Sequence, residues 1–149
     1  MASISVQSDD FNLNDEIAQL KKDNNDVGAI VTFTGTVRDI GGSLKAMTLE
    51  HYPGMTEKEL ERIALVAESR WPLLGCRIIH RYGTLAPGDN IVLVITLSSH
   101  REAAFQAADF LMDYLKSNAP FWKKEQTADG EDWVRSKEKD EAALNRWQK

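Results

Sequence analysis

The pattern of apolar runs in this 149-residue chain predicts an α+β domain. Three observations carry that expectation. Val27–Arg38 and Leu44–Tyr52 are rich in the β-branched and aromatic residues that suit a pleated surface. Ile91–Leu97 is almost continuously apolar, the signature of a central strand covered on both faces. Two further stretches, around Leu60–Ala67 and Ala104–Leu115, repeat their apolar residues at helical spacing. The order β-β-α-β-β-α, followed by an irregular C-terminal section, argues against a doubly wound parallel sheet.

The first dozen residues are polar and are expected to be loose at the tip. Asn14–Lys21 suits a short helix, with Ile17, Ala18 and Leu20 as its apolar content, and Lys22–Asp26 reads as a charged turn. In the first long strand Ala29, Val31 and Phe33 share one face, with Thr32 and Thr34 opposite. Gly35 marks a bulge or a close backbone approach. Gly41-Gly42 turns the chain into Leu44–Tyr52, expected to pair with the first strand.

Pro53-Gly54 ends that run, and Thr56 with Glu59 forms a capping box, with Met55 and Leu60 as the hydrophobic staple. Leu60, Ile63, Ala64 and Ala67 then supply a buried stripe to about Arg70. Cys76–Tyr82 is the next strand, with Ile78 or Ile79 inward depending on register. A turn at Ala86–Asp89 leads to Ile91–Leu97. Ser99 and Glu102 make a second capping box for a helix from His100 to about Asn118, which Pro120 interrupts. Its alanine-rich face suits close packing. Phe121–Thr127 reads as a short strand, Asp129-Gly130 as a turn, and Ala143 and Trp147 keep helical spacing in the tail.

The chain is 42% apolar with a net charge of -5, an ordinary globular balance. Acids outnumber bases six to two in residues 1–30, whereas residues 31–99 hold seven of each and residues 100–149 hold ten acids and nine bases. Such a field does not favour a nucleic-acid backbone, though it allows a local basic pocket. The single cysteine, Cys76, excludes an internal disulfide and argues against a thiolate metal cluster. His51, His80 and His100 lack metal-ligand spacing. With neither a long apolar run nor a signal peptide, the expected setting is the cytoplasm, away from membranes.

Chemistry is most readable in the cations near element ends. Lys116 lies at the end of the long helix, and Lys123 follows beyond Pro120. Lysine at a helix C-terminus is ordinary, since the dipole favours it there. A turn that brings two ammonium groups into one pocket would instead lower a lysine pKa and create a nucleophile or proton-transfer group. Phe121 and Trp122 would wall such a pocket. His100-Arg101 opens the same helix, where backbone amides and a guanidinium suit a phosphate. Arg38 is a further candidate clamp. From Arg101 to Lys116 an unbroken helix runs about 22 Å at ~1.5 Å per residue. One chain therefore cannot easily bring both to one site, and a two-fold dimer with antiparallel long helices would, their alanine-rich faces allowing a close approach.

The segments Val31–Gly35 with Val37-Arg38, Leu49–Met55, His100-Arg101, Met112–Lys116 and Ala119–Lys123 resemble the molybdopterin synthase large-subunit family. The resemblance runs from about residue 27 to Trp147, which makes residues 1–26 a variable N-terminal segment and 27–149 one domain. It implies an α/β hammerhead-like domain with an added antiparallel β subdomain. It also implies a homodimer of large subunits inside a heterotetramer with a small ubiquitin-like sulfur-carrier subunit. The implied reaction moves sulfur from that subunit's thiocarboxylated C-terminus to cyclic pyranopterin monophosphate, forming the molybdopterin dithiolene with no metal or other cofactor. Lys116 and Lys123 match the family's catalytic lysines, and Arg38, His100 and Arg101 match substrate-binding positions. Lys137 stands where relatives carry arginine, keeping the charge but losing the planar fork. The resemblance leaves open whether Lys116 acts by charge, as a base or as an acyl acceptor. A non-catalytic scaffold for a protein tail and a small phosphate or nucleic-acid module are the competing readings.

Overall fold

The computed structural model describes residues 2–39, 41–117, 120–127, 130–134 and 143–147. They form two four-stranded sheets and three helices. The first sheet has the order β1-β4-β6-β2, built from β1 (Ala2–Gln7), β2 (Ala29–Thr36), β4 (Leu73–Arg81) and β6 (Asn90–Ser98). Only β1 runs parallel to its neighbour, and the other pairs are antiparallel. The second sheet, wholly antiparallel, has the order β5-β3-β7-β8: β3 (Leu44–His51), β5 (Gly83–Leu85), β7 (Phe121–Thr127) and β8 (Gly130–Val134). No described helix is long and apolar enough to cross a membrane.

Alternation along β4 and β6 explains why both strands are apolar throughout. Cys76, Ile78, Val92 and Val94 pack beneath α2 (Met55–Arg70) and α3 (Arg101–Ser117), in one cluster with Leu60, Ile63, Phe110 and Leu111. Ile79, Leu93, Ile95 and Leu97 bury the opposite face beneath α1 (Leu13–Lys21), through Leu13, Ile17 and Leu20. Ile78 and Ile79 are therefore both interior, one on each face. Gly35 sits where the β2–β6 register shifts, as a bulge requires.

Four expectations are corrected. Ala2–Gln7 is not loose: Ala2, Ile4 and Val6 alternate with polar residues and lay one apolar side on the α2 cluster. The strand Leu44–His51 does not pair with Ala29–Thr36. Its partners are β5 and β7, because β2 is already paired to β6 and Leu44, Met47 and Leu49 bury themselves with Val37 and Leu85 in a separate core.

Thr56 is not an N-cap. The cap lies two residues earlier, at Gly54 with φ 84°, a left-handed conformation that glycine adopts without penalty; no side chain caps the helix. Glu59 binds Arg62, and Met55 is 57% exposed, so the staple is absent too. Finally, the alanine face of α3 is spent inside this chain. Ala104, Ala107 and Leu111 are wholly buried against the sheet and α2, so that face is closed to a second copy.

Candidate active site

The long helix and the strand after it decide where the cations go. β6 runs from Asn90 to Ser98, and α3 returns over the sheet to end beside the strand's beginning. His80 on β4 lies opposite Val92 in the ladder, and the charges of both Lys123 and Lys116 act on it. Lys116, exposed, and Lys123, half-buried, thus both lie within electrostatic reach of the His80 ring. Arg38 belongs to the same end of the sheet. It follows Thr36, which pairs with Asn90, and the Val37 amide donates to the Asp89 carbonyl at 2.9 Å.

The chain entering β7 is anchored at Pro120 and at Phe121. The Thr56 hydroxyl, fully buried, donates to the Pro120 carbonyl at 3.0 Å and accepts from the Tyr52 amide at 3.0 Å. Phe121 lies flat against His80, with ring centroids 3.6 Å apart and planes 17° from parallel. Across the β3–β7 ladder Phe121 faces His51, whose ring rests 4.3 Å from that of Tyr82. Lys123 is two residues along the strand from Phe121 and shares its face, opposite buried Leu49. Phe121 therefore supplies the expected wall, whereas Trp122 points to the other face and is 49% exposed.

His80 is neutral at ordinary pH. Burial pushes its pKa down to about 4, and the charges of Lys123, Lys116 and His51 push the same way, against the opposing pull of the Arg81 carbonyl. That carbonyl, 2.9 Å from Nδ1, can only accept, so Nδ1 carries the proton and Nε2 is left as an acceptor. An uncharged ring is what a site already holding two ammonium groups can tolerate.

The second cationic site lies at the other end of α3. Gly28, Ser99, His100, Arg101 and Glu102 line an open hollow of about 410 Å³ at the start of the helix. The backbone forms its floor: the Gly28 amide donates to the Ser98 carbonyl at 3.0 Å. The amides that open the helix and Arg101 make this hollow suited to an anion, with Glu102 as the one acidic lining residue.

Of the residues singled out from the sequence, Lys116, Lys123 and Arg38 share one end of the sheet, and His100 and Arg101 share the other. The continuous helix Arg101–Ser117 keeps the two groups apart. Lys137 lies outside the described residues. His80 and Thr56 were missed as parts of the site. A buried histidine on a strand and a threonine early in a helix carry no local sign of their tertiary partners. Cys76, buried, has its thiol pushed up to about 12 by burial, which makes it unreactive at neutral pH.

Comparison with known proteins finds close relatives of the whole fold. A solved structure of the molybdopterin biosynthesis MoaE protein from Burkholderia ambifaria is similar at a TM-score of 0.86 and 55% identity, covering 99% of this chain and 98% of that one. The crystal structure of molybdopterin synthase from Staphylococcus aureus gives a TM-score of 0.81 at 30% identity, covering 88% of this chain and 96% of that one. The molybdopterin synthase catalytic subunit of Brucella melitensis is 57% identical over 148 residues, 98% of this chain and 91% of that protein. The family described as MoaE protein matches residues 6–118, most of the chain, and with such relatives on either side of that match the chain belongs to the MoaE protein family.

Proposed function

We propose that this chain is the catalytic subunit of a molybdopterin synthase. It would take sulfur from the thiocarboxylated C-terminus of a small ubiquitin-like subunit and install it on cyclic pyranopterin monophosphate. The observation that carries the reading is that Lys116 and Lys123 both act on the buried His80 ring, against which Phe121 lies, in a chain whose relatives are named catalytic subunits of this enzyme.

The proposed chemistry uses the cations in two ways. The sulfur of the incoming tail bonds to a substrate carbon as a carbon–oxygen bond at that carbon breaks, the oxygen departing with the phosphate or, protonated, as water, and the tail is left joined to the substrate as a thioester. Water then cleaves the acyl–sulfur bond, releasing the tail as a carboxylate and leaving sulfur on the substrate. A second round supplies the second sulfur of the dithiolene. Lys116 and Lys123 stabilise the negative charge that develops at the acyl carbonyl and move protons to and from it. His100 and Arg101 bind the substrate phosphate, and Arg38 neighbouring oxygens. Lys137 adds positive charge for the same ligand. No metal takes part in the scheme, since the partner brings the sulfur.

Because one chain holds the two cation groups at opposite ends of α3, the scheme uses a homodimer. His100 and Arg101 of one copy serve the lysines of the other, within a heterotetramer carrying two small subunits. Contact through the buried alanine face is excluded, so the pairing surface would lie elsewhere. The reaction belongs to the cytoplasm, where thiols and thiocarboxylates persist.

The test is reconstitution. The purified chain, thiocarboxylated small subunit and cyclic pyranopterin monophosphate should form dithiolene, and Lys116→Ala should abolish it while partner binding persists. Unchanged turnover by that variant would reduce the chain to a scaffold.

A further inference from the structure

Pro120 and Phe121, at the start of the strand that carries Lys123, are held by two residues to which the scheme above gives no role. Thr56 reaches it from α2, and His80 from β4. A hydroxyl has one proton, so the hydrogen bonds at Thr56 have a direction: the Tyr52 amide donates to Oγ1, and Oγ1 donates to the Pro120 carbonyl, each at 3.0 Å. Thr56 is fully buried, so no water replaces either partner. One residue further on, the Phe121 ring lies on the His80 imidazole at 3.6 Å, and Nδ1 of that imidazole is fixed to the Arg81 carbonyl at 2.9 Å. Lys116 precedes these two anchors and Lys123 follows them.

We propose that Thr56 and His80 are positioning residues for the lysine pair: by pinning the Pro120 carbonyl and the Phe121 ring, they set the separation and aim of Lys116 and Lys123. The proposal rests on the catalytic reading of those lysines. A lysine side chain has four rotatable bonds, so its own rotamers do little to place the ammonium group. What places it is the backbone it starts from. Removing the Thr56 hydroxyl would leave a buried amide and a buried carbonyl without partners. Tyr52 and Pro120 would then shift to recover a partner for each. Displacements of about 1 Å at reacting groups cost on the order of a hundredfold in rate.

Thr56→Val and Thr56→Ser separate this role from simple support of the fold. Both keep the side-chain bulk close to native, but only serine keeps the hydroxyl. In the reconstituted complex, Thr56→Val should lower kcat by about tenfold to a hundredfold. Its KM for the thiocarboxylated small subunit should change by less than about threefold, because the interaction lost acts on the reacting geometry rather than on docking. Thr56→Ser should recover kcat to within about threefold of the native protein. Native kcat in Thr56→Val, or equal impairment in both variants, overturns the proposal.

Should Thr56→Val fail to fold, His80 decides. His80→Phe keeps a flat ring on Phe121 and should retain turnover, whereas His80→Leu should lose at least about fivefold in kcat. Equal kcat in those two variants overturns the proposal. Lys116→Ala, assayed in parallel, keeps the two readings apart. If it is active, the catalytic assignment falls and the positioning role falls with it. If it is inactive while Thr56→Val is fully active, only the positioning role falls.

Discussion

Arg101 and Lys116 stand at the two ends of one continuous helix, about 22 Å apart at ~1.5 Å of rise per residue. A site that uses both must draw them from two chains, and this predicts complementation. Arg101→Ala and Lys116→Ala proteins should each be inactive alone. When unfolded together and refolded as a mixture, they should regain about a quarter of native turnover, because half the dimers are mixed and each mixed dimer has one intact site. A mixture as inactive as its components would place both groups in the same chain's site, or remove one of them from catalysis.

His80 predicts a pH dependence of stability. Its folded pKa is about 4 against an ordinary 6.5, so between those values the unfolded chain binds a proton that the folded chain refuses. Its stabilising contribution is therefore fully present above 6.5 and is lost as pH falls toward 4. The full span is worth about 3 kcal/mol by linkage. Urea titrations at pH 7.5 and 5 should show the loss in the native protein and a smaller loss in His80→Phe. Equal slopes would mean that carboxylates alone account for the acid sensitivity.

Gly28 predicts a steric effect on the anion hollow. A Cβ at this position would sit 2.2 Å from the Ser99 carbonyl oxygen, which is backbone and cannot swing aside. Gly28→Ala should push Val27–Gly28 away from the start of α3 and cost about 2–3 kcal/mol in stability. It should also raise KM for the pterin substrate more than it lowers kcat. A variant with native melting temperature and native KM would show that the two segments separate freely.

The C-terminal turn predicts a difference between packing and charge. Trp147 packs edge-on against Trp71 and Phe110, donates through Nε1 to Asp113, and receives Arg70 on its carbonyl at 2.8 Å. Arg146 pairs with Asp109 at 2.7 Å and Asp113 at 2.8 Å, but its side chain is half exposed. Trp147→Ala should cost about 2–3 kcal/mol through lost aromatic burial. Arg146→Ala should cost clearly less, since water and salt screen its pairs. Chemical denaturation of both variants checks the order, and a larger effect at Arg146 would reverse the argument.

Periodicity alone was enough to place α2, α3 and the buried strands β4 and β6, because each buries a face with its own repeat. It did not reveal partners. Leu44–His51 alternates as a strand would in either sheet, and only the separate core formed by Met47, Leu49 and Leu85 decides where it goes. Ala2–Gln7 escaped notice because an edge strand needs just one apolar side.

The same division holds for the candidate site. Lys116 and Lys123 were legible as charges flanking a helix-breaking proline, and His100-Arg101 as a helix start. Thr56 was misread because a threonine three residues before a glutamate is also a local capping pattern. Its actual partner, Pro120, is remote in sequence. His80 is defined by a ring stacked on it from another sheet, and no local pattern encodes that.

Helix α3 also has a consequence for inheritance. If each site takes its lysines from one chain and its arginine from another, a chain damaged at one end only spoils one of the two sites in a mixed dimer. An allele carrying both lesions spoils both sites of every dimer it enters. Single-end alleles should therefore behave as recessive and complement each other in trans, while the double allele should suppress a native copy expressed beside it.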